Sequence, residues 1–131
     1  MSGEGEKTME LTETHLRYLL AIYDLSRVTP DVGAAAIANT LKVSRPSVTR
    51  MLNILMDRGL LVRERYGKIY LTDTGFLAAR DFKRKVERLQ ARIPRMGLRL
   101  TEEELLDAAC VLAAALPESA LEDGETAGQP G

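Results

Sequence analysis

The sequence has few of the residues from which disulfides, metal sites and aromatic cores are built. Its 131 residues include one cysteine, one histidine, no tryptophan, two phenylalanines and four tyrosines. The single cysteine, Cys110, can form neither an internal disulfide nor a cysteine-rich zinc site, which excludes a disulfide-stapled scaffold. The aromatic content of 5% favours an aliphatic, alanine-rich helical core.

Long apolar runs and catalytic pairings are missing as well. The longest unbroken apolar run, 108–116, has nine residues, against the roughly 20 needed to cross a bilayer. The N-terminus lacks the basic and apolar parts of a signal peptide, so we expect a cytoplasmic protein without a membrane span. An enzyme is the poorest fit, because His15 has no nucleophile near it and no glycine-rich phosphate loop is present.

The net charge of −1 hides a strong separation of charge along the chain. Residues 42–68 hold seven basic and two acidic side chains, and residues 80–99 hold eight and two. Residues 100–131, in contrast, hold eight acidic side chains and no basic one. The near-neutral total therefore does not argue against nucleic acid, because a basic face can attract DNA while the acidic end points away.

Apolar spacing predicts three helices in the first half of the chain. The first two cover about 12–25 and 32–41, and the third begins after the N-cap Ser44 and ends before Gly59. The buried face predicted for the second helix is Ala35, Ile37, Ala38 and Leu41, and that of the third is Val48, Met51, Leu52 and Leu55. A strand-like pattern over 60–72, with its tip at Tyr66-Gly67-Lys68, then predicts a β-hairpin.

Two further helices follow the hairpin. A long one from Asp73 to about Ile93 has its apolar stripe at Phe82, Val86, Leu89 and Ile93. The capping box Thr101–Glu104 begins a last helix, which ends before Pro117. The order of elements predicts a mainly α protein, with a winged helix-turn-helix DNA-binding domain and a helical dimerisation segment. The expected boundaries are a flexible leader at 1–11, the winged helix at 12–73, the dimerisation region at 74–121 and a disordered tail at 122–131.

The outward face of the third helix carries short polar side chains and arginines, a composition suited to phosphates and base edges. An ordinary solvated helix face is the alternative, but basic residues around the hairpin tip favour DNA. The helix residues are Arg45, Ser47, Thr49, Arg50 and Asn53, and those of the hairpin are Arg63, Arg65 and Lys68.

Two patterns in the second half bear on partners. Arg80, Arg84, Arg88 and Arg92 recur every fourth residue. They form either a solvated stripe beside the pairs Asp81–Lys85 and Lys83–Glu87, or a site for DNA backbone or for the acidic 102–107 turn of a partner chain. The last helix is apolar nearly all round, which favours a homodimer interface. The expected contacts are Leu105, Leu106, Ala109, Leu112, Ala113 and Leu116.

An ordered set of motifs resembles the diphtheria-toxin-repressor and manganese-transport-regulator family of metal-dependent repressors. The motifs lie at Tyr18–Tyr23, Ile37-Ala38, Val43–Thr49, Asp57–Leu61 and Tyr66–Gly75, within a match of about residues 10–116. The resemblance implies a transcription repressor that binds a palindromic operator in double-stranded DNA as a homodimer. The third helix would read the major groove through Ser44, Pro46, Ser47, Thr49 and Arg50, and the wing would place Arg65 and Lys68 on phosphates.

The resemblance also implies manganese or iron as the cofactor, but the ligand positions argue against it. They fall on Arg17, Leu20, Val86, Cys110, Ala113 and Ala114, of which only Cys110 keeps a family ligand. We therefore expect weak or no dependence on divalent metal. A relocated metal or redox site at Cys110 or His15 stays open, against the ordinary alternatives of a buried thiol and a solvated imidazole.

Two other functions remain as alternatives. A multiple-antibiotic-resistance-type, ligand-responsive regulator shares the serine, threonine and Gly-Leu-Leu signatures. A winged helix can also act as a protein-interaction module that does not read DNA sequence.

Overall fold

The computed structural model describes residues 10–122, which contain five α-helices and one two-stranded antiparallel hairpin. The mainly α, winged helix-turn-helix arrangement is thereby confirmed. The predicted leader up to residue 9 and the predicted tail from residue 123 lie outside the described residues. In chain order the elements are α1 Glu13–Ser26, α2 Ala34–Leu41, α3 Arg45–Asp57, β1 Leu61–Arg63, β2 Ile69–Leu71, α4 Asp73–Arg92, a 3₁₀ turn Ile93–Met96, α5 Glu102–Ala115 and a 3₁₀ turn Glu118–Leu121.

The chain divides into two compact units, Met1–Asp81 and Phe82–Gly131. An aliphatic core occupies the first unit, as the low aromatic content predicts. Most of its buried side chains come from α1, α2, α3 and the hairpin, and they include Leu19, Ile22, Ile37, Val48, Leu52, Leu55, Leu61 and Ile69. The inward stripe predicted for α3 therefore lies in the core, with Met51 partly buried beside it.

The start of α2 differs from the sequence prediction. The helix begins at Ala34, after the N-cap Gly33, and the preceding Val32 is buried in the loop. Ile37 and Ala38 are buried as predicted, but Ala35 is exposed. Since successive helical residues are turned by about 100°, Ala35 lies on the side of α2 opposite Ile37, and its assignment to the buried face was wrong.

The hairpin forms the predicted wing. Its strands pair in the register Leu61↔Leu71, Val62↔Tyr70 and Arg63↔Ile69. The backbone N–H of Ile69 also donates to the carbonyl of Val32 at 3.0 Å. This bond ties the returning strand to the loop between α1 and α2.

Thr72 and Gly75 join the end of α3 to the start of α4. The Thr72 hydroxyl donates to the Gly59 carbonyl at 2.7 Å and accepts from the Gly75 N–H at 3.1 Å. A Cβ atom added at Gly75 would overlap the backbone carbonyl of Leu60. Gly59 itself has φ +74°, the left-handed conformation expected of the glycine that ends a helix.

The second unit buries the predicted stripe of the long helix. Phe82, Val86, Leu89 and Ile93 are all buried. Thr101 and Glu104 form the predicted capping box: the Thr101 N–H donates to Glu104 Oε1 at 2.9 Å, and the Glu104 N–H donates to Thr101 Oγ1 at 3.0 Å. Both the helix pattern and the cap of this unit could thus be derived from the sequence.

Basic side chains of α4 hold the C-terminal strap, which we define as residues 116–121. Lys85 Nζ donates to the Leu116 carbonyl at 2.8 Å, and Arg88 Nη1 donates to the Leu121 carbonyl at 3.1 Å. Arg84 pairs with Glu118 at 3.7 Å. Arg84 and Arg88 of the predicted stripe therefore have partners in the C-terminal strap, which the sequence interpretation did not identify.

Candidate nucleic-acid interface

The outward side of α3 forms a polar surface, here called the recognition surface. Its members are exposed, except for the half-buried Ser47, while Val48, Leu52 and Leu55 on the opposite side are completely buried. Amphipathic packing therefore fixes which side of α3 faces solvent. The recognition surface comprises Ser44, Arg45, Pro46, Ser47, Thr49, Arg50 and Asn53.

A short hydrogen-bond chain organises the N-terminal end of α3. The Ser44 hydroxyl accepts from the Ser47 N–H at 3.2 Å and donates to the Ser47 hydroxyl at 2.9 Å. Arg50 Nη2 in turn donates to that hydroxyl at 3.4 Å. The helix start thus combines unshared N–H groups with a guanidinium, and both attract anions.

Tyr18 of α1 is close enough to this surface to be affected by the charge of Arg50, and it was not identified as a functional candidate from the sequence. Its side chain is buried. Burial raises the pKa of Tyr18, and the positive charge of Arg50 partly opposes that increase. A tyrosine on an otherwise aliphatic buried face was the signal that could have revealed it.

The wing presents a second basic surface. Arg63 and Arg65 are exposed, and Tyr66 at the tip is 88% exposed. Lys68 differs from them, because its Nζ lies 3.1 Å from Asp31 Oδ1. The hydrogen bond to Asp31, and then the charge of that carboxylate, raise the pKa of Lys68. Sequence reasoning placed Tyr66 at the tip without naming it as a candidate site residue, and it missed the partner of Lys68.

His15 is part of the N-terminal cap of α1. Its Nδ1 accepts from the Thr12 N–H at 3.0 Å, and the His15 N–H donates to Thr12 Oγ1 at 3.2 Å. The residue is 8% exposed, so the expectation of a solvated imidazole was wrong. Desolvation by burial lowers the pKa of His15, and the nearby charge of Arg58 lowers it further.

The residues at the family's metal-ligand positions do not suit a divalent cation. In the first unit, Arg17 pairs with Glu13 at 3.4 Å and Leu20 is half-buried. In the second unit, Val86, Cys110 and Ala113 are buried and Ala114 is half-buried. Within residues 10–122 no cluster of three or more histidine, cysteine, aspartate or glutamate side chains could hold a metal ion. Apart from the Cys110 thiol, a cation and aliphatic groups thus stand where oxygen, nitrogen and sulfur donors are needed.

The residues predicted for dimerisation have different environments. Ala109 and Ala113 are completely buried in the chain itself. Leu105, Leu106 and Leu116 are half-buried, and Leu112 is exposed. Val111, which the prediction omitted, is more exposed than Leu112.

The fold and this surface define a winged helix-turn-helix protein with a polar recognition helix and a basic wing. Residues 10–69 match the family described as "Iron dependent repressor, N-terminal DNA binding domain". This match, over 60 of the 131 residues, confirms the resemblance to metal-dependent repressors seen in the sequence.

Solved structures of regulators share this fold. The manganese regulator SloR is 25% identical, with a TM-score of 0.74 over 86% of this chain and 52% of that chain. The manganese-activated repressor ScaR in its apo form is 27% identical, with a TM-score of 0.63 over 85% of this chain and 52% of that chain. The chain thus spans about half the length of each regulator.

A protein shorter than these regulators shows the same fold. A hypothetical protein from Sulfolobus solfataricus is 17% identical, with a TM-score of 0.64 over 92% of both chains.

None of the helices described in residues 10–122 is long and apolar enough to cross a membrane.

Proposed function

We propose that this chain is a transcription repressor that binds a palindromic operator in double-stranded DNA as a homodimer. The observation that carries the proposal is the exposed recognition surface of α3 within the segment that matches a DNA-binding domain family. The same match supports regulation of transcription rather than catalysis.

In this proposal the N-terminal half of α3 lies in the major groove. Arg50 donates to guanine O6 and N7 after leaving its weak bond to Ser47, whose length of 3.4 Å makes the exchange inexpensive. Pro46, exposed at the second helical position, packs against a thymine methyl group. Arg65 of the wing neutralises a backbone phosphate, which adds affinity without sequence choice.

Operator DNA selected from a genomic library tests the proposal. We expect Arg50→Ala to lower operator affinity by about 5- to 150-fold, because a bidentate pair with one base is removed, and to relax sequence choice at one position of each half-site. Arg50→Lys is the matched control, because it keeps the charge but cannot form the planar pair. Fluorescence anisotropy with operator and random duplexes measures both effects.

Arg65→Ala should behave differently. It should weaken operator and random DNA by similar factors and lower the salt-dependence slope by about 0.9 for each phosphate that is no longer neutralised. If operator and random DNA bind equally to the unmodified protein, and neither arginine matters, the repressor proposal fails. A winged-helix module for protein interaction would then be the better interpretation.

We further infer weak or no dependence on divalent metal. The support is chemical: Arg17, paired with Glu13, stands at one ligand position, and buried Val86 and Ala113 stand at two others. No step of the proposed DNA binding passes through a metal.

A further inference from the structure

Lys68 and Asp31 form an ion pair between the wing and the loop that precedes α2. Nζ and Oδ1 lie 3.1 Å apart, with the lysine side chain 44% and the aspartate side chain 67% exposed. The pair has consequences for DNA binding, because Lys68 is one of the basic wing residues expected to neutralise phosphate. A lysine that already pairs with a carboxylate contributes less binding free energy when it pairs with a phosphate.

The next residue of each segment makes a second connection. The Ile69 N–H donates to the Val32 carbonyl at 3.0 Å. Ile69 and Val32 are both buried at 2% exposure. Two consecutive residues of the wing are therefore tied to two consecutive residues of the loop, one tie through side chains and one through the backbone.

An open cleft of about 310 Å³ lies beside these ties. It is lined by Asp31, Val32, Gly33, Tyr66, Gly67 and Lys68. The ion pair thus lies at a cleft between the loop and the wing tip. Arg65 and Tyr66 lie at that tip, next to Gly67, whose φ of +92° makes the turn.

We propose that Lys68 is a positioning residue, which with Asp31 fastens the wing to the loop and so orients Arg65 and Tyr66 toward DNA, instead of neutralising a phosphate itself. This inference rests on the proposed function. It replaces the role assigned to Lys68 from the sequence, and it gives Asp31, an acidic residue in a DNA-binding unit, a favourable part in DNA binding.

Salt-dependent operator binding separates the two roles of Lys68. If Lys68 positions the wing, Lys68→Met and Asp31→Asn should each weaken binding by about two- to fivefold per wing, as expected for an exposed pair, with the salt slope unchanged. The double variant should be no weaker than either single variant, and the exchange Asp31→Lys with Lys68→Asp should restore part of the affinity. Glu64→Gln controls for the removal of one acidic charge beside the wing.

Direct neutralisation of a phosphate by Lys68 predicts the opposite pattern. Lys68→Met would then lower the salt slope by about 0.9 for that phosphate, while Asp31→Asn would leave affinity unchanged or increase it. That result would overturn the positioning role.

A measurement without DNA keeps this inference separate from the proposed function. Amide hydrogen exchange of Ile69 should accelerate at least severalfold in Lys68→Met and Asp31→Asn, whereas the Thr72 N–H, bonded to the Leu60 carbonyl, should stay unchanged. Unchanged exchange at Ile69 contradicts the anchor whatever the DNA result. Faster exchange, in a protein that does not distinguish operator from random DNA, supports the anchor and refutes the repressor proposal.

Discussion

His15 replaces the glutamate or glutamine that usually completes a capping box. The spacing from Thr12 to His15 is the required three residues, and Nδ1 accepts the N-cap N–H as a carboxylate oxygen would. Because Nδ1 accepts, it carries no proton, and the ring proton lies on Nε2. The threonine could be predicted as a cap from its residue type, but the histidine could not, because its burial depends on the fold.

The cap makes the stability of the protein depend on pH. The folded-state pKa of His15 lies below the ordinary 6.5 because of burial and the charge of Arg58. The unfolded chain therefore takes up a proton as the pH falls below about 6.5, while the folded chain resists it. We expect the free energy of unfolding contributed by His15 to be fully present above that pH and to be lost as the pH falls through the folded-state pKa.

Urea denaturation at pH 7.5 and at pH 5 measures this effect. The matched variant is His15→Gln, which keeps an acceptor at the cap but does not titrate. A difference between pH values that is the same in both proteins would show that other groups cause it.

At the scale of elements, the ends of α3 were the most predictable part of the fold. Ser44, Pro46 and Gly59 each carry a local signal, since a cap, a first-turn proline and a left-handed glycine require no knowledge of distant residues. The connection between Asp31 and Lys68 could not be predicted, because the two residues are far apart in sequence and meet only through the packing of the wing.

Gly75, at the junction of α3, the wing and α4, is another residue whose contacts could not be predicted from the sequence. We expect Gly75→Ala to lower the free energy of unfolding by about 3 kcal/mol or more, because the added methyl group would overlap the Leu60 carbonyl. Urea denaturation measures the change. Gly33→Ala is the control, since a Cβ there would meet no atom within 4 Å; it should cost less than about 1 kcal/mol. Equal decreases in the two variants would refute the steric explanation.

At the scale of the whole molecule, residue spacing revealed the arginine stripe but not its partners. The arginines at every fourth residue from Arg80 to Arg92 lie on one helix face. The spacing alone does not show whether that face contacts solvent, DNA or protein. The structure answers the question for Arg84 and Arg88, which hold the C-terminal strap. For the candidate interface, the sequence could indicate the residue types on α3, whereas the burial of Tyr18 required the structure.

Dimerisation remains a prediction that one surface leucine can test. Because Leu112 is exposed on α5, we expect Leu112→Glu to place a charge in the proposed interface and to raise the dimer dissociation constant at least tenfold, by about 1.4 kcal/mol or more. Sedimentation velocity over a concentration series measures it. Val28→Glu, a similar change at an exposed site of the first unit, should remain dimeric. A monomeric unmodified protein, or a dimer unaffected by Leu112→Glu, would contradict the prediction.

Metal response is the second prediction at this scale. Manganese or iron(II), added to protein first treated with a chelator, should leave the melting temperature and operator affinity unchanged, because Cys110 alone among the ligand positions carries a donor. Magnesium at equal concentration controls for ionic strength. A rise of several degrees, or a marked gain in operator affinity, with manganese or iron alone would show that the chain binds metal elsewhere.

The C-terminal strap has a consequence for synthesis of the protein on the ribosome. All buried residues of the first unit's core are present once Ala79 has been added, so that unit can fold while the chain is still growing. The carbonyl groups of Leu116 and Leu121, which accept hydrogen bonds from Lys85 and Arg88, are synthesised 31 and 33 residues after their donors. The winged helix is therefore expected to form first, and the second unit to be completed only after the C-terminal strap has been synthesised.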